Sequence, residues 1–157
     1  MLSDYFDYHH IISMMDQKVK KQIDKFFKIC EIVLNQYGYK SAVVSSFECT
    51  AICGVILGAA ERCDLKDYME LIPVEVNNTP HSVIRCNDKI LDFTFAQFDE
   101  IRKWPINTKR TVKGMEIVGS HQKEDAEAAI IMAEYKEIHR EIMDKIVRTY
   151  QNLDNDE

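Results

Sequence analysis

From Ala42 to Ala60 nearly every residue is apolar or small, and this run limits what the chain can become more than any other. A membrane span needs about 20 predominantly apolar residues. The run falls short of that, because Glu48 sits inside it and Ser45, Ser46 and Thr50 dilute it. It is expected instead to enter a protein core, as a short strand or extended entry at Ser41–Val44 and then a helix from about Phe47 to Arg62. That helix carries Cys49, Ala51, Ile52, Cys53, Val55, Ile56, Leu57, Ala59 and Ala60, so it is apolar on nearly every side and belongs at the centre of the fold. Ser46 reads as its N-cap, with Glu48 in the first turn where a negative charge suits the helix dipole. Gly54 and Gly58 weaken the helix intrinsically, which suits one held by close packing.

The flanking segments fit around such a centre. Ile23, Phe26, Phe27, Cys30, Val33, Leu34 and Tyr37 recur at spacings of three and four and predict a helix over about 13–37, stopped by Gly38. Leu71–Val76 reads as a strand, and Asn77–Pro80 as a turn by composition. His81–Cys86 and Ile90–Phe95 flank a polar turn at Asn87–Lys89 and read as a β-hairpin. One more strand is expected within 111–118. From Gln122 to about Leu153 a single long helix is expected, with Ile131, Tyr135, Ile138, Ile142, Ile146 and Leu153 on one face. Strands that follow one another without intervening helices give an α+β layout rather than alternating βαβ units. At 157 residues, with no repeat or low-complexity linker, residues 1–157 are expected to form one domain.

Composition narrows the class of function. The net charge is −6 with acids and bases interleaved, so there is no basic stripe to attract nucleic acid. The five cysteines, Cys30, Cys49, Cys53, Cys63 and Cys86, are an odd number, and the first residues carry no basic and apolar leader. Both point to reduced thiols in a reducing, cytoplasmic setting. Delivery into a target cell's cytosol by a specialised secretion route would give the same signature.

Acyl transfer by a thiol needs a thiol that ionises, a base that reaches it, and a group that holds the base in the right tautomer. Cys49 meets the first need by position: at the start of a helix, unpaired N–H groups and the dipole favour a thiolate and can also serve an oxyanion. His81 follows a turn, which places it at a strand end. Asp92 lies on the partner strand, close to opposite His81 across the hairpin. There a carboxylate can hold one imidazole nitrogen while the other faces Cys49.

The stretches Phe47-Glu48-Cys49-Thr50-Ala51, His81-Ser82-Val83-Ile84 and Lys89-Ile90-Leu91-Asp92-Phe93-Thr94-Phe95-Ala96-Gln97-Phe98 resemble the papain-like fold of transglutaminase-type and toxin-type cysteine enzymes. Those families place Cys at a helix start, His on a following strand and Asp on the next, often with a Pro-Thr pair and then Gln-Phe after the Asp. Thr94 and Gln97-Phe98 match, while Phe93 replaces the proline. The resemblance covers about a third of the chain. It implies a central Cys-bearing helix on a small antiparallel sheet, flanked by N- and C-terminal helices. It also implies thiol-dependent chemistry on a protein or peptide amide, without a cofactor or metal: proteolysis, glutamine deamidation or transamidation through a Cys49 thioester, as in bacterial effectors and toxins. Papain-like proteases often carry a Gln shortly before the nucleophile as an oxyanion donor. Here Ser45 and Ser46 are the nearest side-chain donors, and Glu48 beside the thiol opposes its ionisation.

Other readings compete. Each of the three residues taken singly has a structural role available: Cys49 as a core filler, His81 satisfied by a carbonyl, Asp92 capping a turn. Together they would then mark a catalytically silent interaction module, a pseudoenzyme. Cys49, Cys53, His81 and Cys86 could be read as a zinc set, although structural zinc sites favour a tighter cysteine pair. His139, within Lys136–Glu141, reads as part of a solvated helix face. The C-terminal helix could serve a partner protein.

Overall fold

The computed structural model describes the backbone of residues 2–41, 44, 48–87, 89–95, 106–108, 114–119 and 123–155, and the side chains of 16–41, 44, 48–87, 89–95, 114–119 and 124–153. The chain runs through α1 (Leu2–Gln36), α2 (Cys49–Arg62), a 3-10 turn, β1 (Met69–Val76), β2 (Thr79–Cys86), β3 (Lys89–Asp92), β4 (Ile106–Thr108), β5 (Met115–Ile117), α3 (Lys123–Glu134) and α4 (Glu137–Asn155). This is an α+β arrangement, as the clustering of the strands predicts. The five strands form one sheet in the order β4-β3-β2-β1-β5, with every neighbouring pair antiparallel. Among the described residues no helix is long and apolar enough to cross a membrane.

The apolar run becomes the central helix. In α2 every residue from Ala51 to Ala60 is buried, among them Val55, Leu57, Ala59 and Ala60 with no exposed surface. The two glycines explain how other helices come so close. A Cβ at Gly54 would lie 2.0 Å from the carbonyl oxygen of Ala129 in α3, and one at Gly58 would lie 2.9 Å from Cε of Met143 in α4. Gly54 thus lets two backbones touch, and the loss of helix propensity is the cost of that approach. The main core gathers α2, the buried stripe of α1 (Ile23, Phe26, Phe27, Cys30, Val33, Leu34) and the inner sides of α3 and α4 with Leu71, Ile84 and Leu91 of the sheet. Ile72, Val74, Val76, Val83, Ile90, Phe95 and Met115 form a second, smaller core. Alternation along β1 and β2 sends odd and even positions to these different clusters.

The hairpin between β1 and β2 is set by Asn77 and Asn78, both with positive φ (49° and 67°). Two successive left-handed residues make the turn whose twist matches the strands it joins. Asn77 N–H also donates to the Gly114 carbonyl at 2.8 Å, tying this turn to the start of β5.

Several boundaries depart from the sequence reading. The first helix begins at Leu2 rather than near residue 13. At Ser41–Val44 the described residues are not a strand: Ser41 lies in a bend and Val44 is helical. The N-cap of α2 is Glu48, so Cys49 is the first helical residue; Ser46 lies outside the described residues. The single long C-terminal helix is two helices, broken at Tyr135-Lys136. The break shifts the helical phase. Ile142 and Ile146 are buried as expected, but Ile131, Tyr135, Ile138 and Leu153 are exposed, and Ile130, Ala133, Met143, Val147 and Tyr150 are buried in their place.

Candidate active site

His81 and Asp92 are brought together, by a register slightly different from the one expected. β2 and β3 pair Cys86 with Lys89, Arg85 with Ile90 and Ile84 with Leu91. Continued one step, this register sets Asp92 opposite Val83, so His81 is its diagonal neighbour on the same sheet face, within reach of a long side chain. His81 Nε2 lies 2.7 Å from Asp92 Oδ2, with both side chains almost completely buried. A carboxylate can only accept, so Nε2–H donates to Asp92.

The carboxylate is itself held. The chain leaves the strand at Asp92, and the backbone N–H of Thr94 donates to Asp92 Oδ1 at 2.9 Å while its hydroxyl donates at 3.3 Å. Each Asp92 oxygen thus has its own task, one for His81 and one for Thr94. Asp-x-Thr is a local side-chain-to-backbone turn pattern, so the role of Thr94 is legible from the sequence beyond its match to a family pattern. The expected strand to Phe95 ends at Asp92 for this reason: Phe93 and Thr94 form a bend around the carboxylate.

Cys49 arrives from the helical layer. The early end of β3 makes room for it. Pro73 accepts from Val118 N–H at 3.1 Å, so its carbonyl faces the β5 side. Its partner Ser82 must then turn its own N–H and carbonyl toward the β3 side, beyond the last β3 residue. That vacated edge meets α2. Cys53 Sγ–H donates to the Ser82 carbonyl at 3.6 Å, and one helical turn earlier the Cys49 thiol engages the Ser82 backbone. The Cys49 thiol is also coupled to the His81 ring. With Nε2 held by Asp92, Nδ1 is the ring nitrogen that remains for that coupling.

The electrostatics follow from this placement. Burial pushes the Cys49 thiol up, but hydrogen bonding and charge from His81, then the Ser82 backbone and the Thr50 hydroxyl, outweigh it and bring the thiol below its ordinary value. Burial alone would lower His81. Hydrogen bonds to Asp92 and Cys49, with their charges, raise it to about 9. Each partner stabilises the charged form of the other, which describes a thiolate–imidazolium pair. The remaining thiols behave oppositely: burial pushes Cys30 and Cys53 well up, raises Cys86, and takes Cys63 to about 11. Cys49 is the one cysteine of five whose ionisation is favoured.

The Cys49 backbone opens α2. By helix geometry the first N–H groups of α2 have no intrahelical acceptor, and Ile52 N–H already bonds the Glu48 carbonyl at 2.8 Å. Ser45 and Ser46, the sequence's candidates for a further donor, lie outside the described residues, as do Gln97 and Phe98.

Other sequence expectations fare differently. Among the described residues no group of three or more His, Cys, Asp or Glu is placed to hold a metal ion. Cys86, one member of the zinc reading, is buried in the main core opposite Met69 at the far end of β2 from His81. His139 is not on a solvated face: it is 1% exposed, and its Nε2 lies 2.9 Å from Glu48 Oε2. The charged neighbours suggested exposure, but His139 opens the stripe continued by Ile142, Met143, Ile146, Val147 and Tyr150 at spacings of three and four. Reading α4 by period alone would have placed it inside.

Comparison with protein-family models, with curated proteins and with solved structures finds no match to this chain.

Proposed function

We propose that the chain is a papain-like, transglutaminase-type cysteine enzyme that cleaves or transfers the acyl group of a protein or peptide amide. The observation that carries this reading is the buried His81–Asp92 pair at 2.7 Å, coupled to the one cysteine whose thiol is acidified rather than suppressed. A cysteine serving only as core filler would be pushed up by burial, as Cys30 and Cys53 are.

In the proposed reaction the Cys49 thiolate attacks the amide carbonyl carbon, and the C=O electron pair moves onto oxygen. N–H groups at the start of α2 receive that oxyanion. Collapse of the intermediate breaks the C–N bond, and the imidazolium of His81 gives its Nδ1 proton to the departing amine, leaving a thioester on Cys49. Neutral His81 then takes a proton from water or from an acceptor amine as it attacks the thioester. Water gives hydrolysis or deamidation and an amine gives transamidation; the thiolate and imidazolium are restored. Asp92 keeps the ring in one tautomer and steadies its positive charge.

The pH profile has a definite sign. The acidic limb is the ionisation of Cys49, below the ordinary thiol range. The alkaline limb is loss of the His81 proton near 9, above which the leaving amine has no donor. The two limbs belong to the coupled pair rather than to single residues. Iodoacetamide labelling with site mapping tests the premise. Cys49 should be modified selectively near neutral pH, and Cys49→Ala should fold normally and abolish turnover of peptide amide substrates. Uniform labelling governed by exposure, or activity that survives Cys49→Ala, would overturn the proposal and leave the silent interaction module in its place.

A further inference from the structure

Glu48 is the N-cap immediately before Cys49, and it is held in an unusual way. An N-cap ordinarily fixes its helix by a side-chain bond to a backbone N–H two or three residues on. Glu48 makes no such bond. Its φ and ψ of −105° and 0° set the entry to α2, yet its carboxylate reaches away from that helix to His139 on α4. The contact is close, Nε2 to Oε2 at 2.9 Å, but is not an aligned hydrogen bond. His139 is buried, and among the described residues its Nδ1 has no hydrogen-bond partner. Packing does not require an imidazole here: the positions that follow it on the same stripe of α4 are Ile142, Met143 and Ile146, all buried and apolar. Leaving a buried ring nitrogen unsatisfied has a cost, so the polar group calls for a reason beyond filling space.

We propose that His139 is a positioning residue for the nucleophile: by holding the Glu48 carboxylate it fixes the first turn of α2, and with it Cys49, against α4 and in line with His81. This role rests on the cysteine-enzyme reading above. Two physical effects support it. The first turn of a helix frays readily, and Cys49 occupies that turn with no side-chain cap to hold it. A displacement of about 1 Å in a reacting group can lower a rate substantially. In addition, a carboxylate one residue from a thiolate disfavours it, and pairing Glu48 with His139 holds that charge away from the sulfur. The Glu48 charge also acts on Tyr39, in the turn after α1, whose hydroxyl is raised by burial and then by that charge.

The experiment is the pH profile of Cys49 alkylation in wild type, His139→Leu, His139→Gln and Glu48→Leu, with thermal unfolding of each measured alongside. His139→Leu fills the space but cannot hold the carboxylate. Its Cys49 labelling rate at neutral pH should fall roughly tenfold, with the profile moved to higher pH. His139→Gln, whose amide can still donate to Glu48, should recover part of that rate. A purely structural histidine would lower the unfolding temperature of His139→Leu and leave the Cys49 profile of the folded protein unmoved, and that result would overturn the proposal. Should His139→Leu fail to fold, Glu48→Leu decides, since this position is partly exposed: it removes the tether together with a charge that opposes the thiolate, so a Cys49 profile moved to higher pH supports the role, and one moved lower or unmoved overturns it. Wild-type protein with no activated Cys49 would overturn the enzyme reading and this role together. Activated wild type beside unmoved variants would overturn this role only.

Discussion

Gly54→Ala is expected to be among the most destabilising single-methyl changes this protein can suffer. The added Cβ would meet the backbone carbonyl of Ala129 at 2.0 Å, with the carbonyl carbon at 2.5 Å and the Ile130 nitrogen at 3.1 Å. All three atoms are main chain, so no side-chain rotamer can relieve the clash; α3 must move away from α2 as a unit. Overpacking usually costs about 1–3 kcal/mol, and an obstacle made of backbone belongs at or above the top of that range. For a chain of this size the loss corresponds to a fall in Tm of roughly 6–12 °C, at about 2–4 °C per kcal/mol. Gly58→Ala is the control. There the obstacle is the end of the Met143 side chain at 2.9 Å, which can swing aside, and the helix gains about 1 kcal/mol of propensity on losing a glycine. The two variants should separate clearly in thermal unfolding followed by circular dichroism. A Gly54→Ala protein as stable as the Gly58→Ala protein would show that the α2–α3 approach is looser than described.

His81→Ala should have the largest effect on chemistry. It removes the proposed base and proton donor and the main force acidifying Cys49, while the burial that opposes ionisation stays. The thiol should therefore rise past its ordinary value rather than merely return to it. General acid–base catalysis accounts for roughly 10²–10⁴-fold in rate, and loss of the thiolate near neutral pH adds to that. Asp92→Asn should fall between this variant and wild type. The single amide oxygen can accept from Nε2–H or from Thr94 but not from both, and the negative charge is gone, so His81 drops from about 9 toward its ordinary range and Cys49 rises in step. Alkylation rates across pH for the three proteins should order as wild type, Asp92→Asn, His81→Ala. Equal profiles would mean that the dyad is structural and that Cys49 is acidified by something else.

The central helix and the Cys49, His81 and Asp92 juxtaposition could be read from sequence because each rests on a strong local signal: an all-round apolar run, a histidine just past a turn, a carboxylate across a hairpin. What could not be read depended on tertiary contacts. The hairpin register differed because setting His81 opposite Asp92 centres the hairpin between residues 86 and 87, whereas the Cys86–Lys89 pair centres it between 87 and 88 and puts Asp92 opposite Val83, two positions from His81. Ser46 looked a better cap than Glu48 by intrinsic preference, but the cap is held by a histidine ninety residues further along the chain. The break at Tyr135-Lys136 carries neither glycine nor proline, so nothing in the local sequence announced it, and the stripe of the last helix was therefore drawn on a shifted phase. Thr94 is different: its clamp on Asp92 is a local Asp-x-Thr turn, legible from the sequence pattern alone.

The division of labour between layers has a consequence for how the protein assembles. The meander of β1, β2 and β3 joins residues close in sequence through short turns, whereas α2 must wait for α3 and α4 to arrive from the other end of the chain. Contacts between distant segments carry the larger loop-closure entropy and form late. The His81–Asp92 pair can therefore form while Cys49 is still an ordinary thiol. In a refolding time course, reactivity of Cys49 at neutral pH should be the last native property to return, after the far-ultraviolet signal of the sheet and helices; the nucleophile stays harmless until the fold around it is closed.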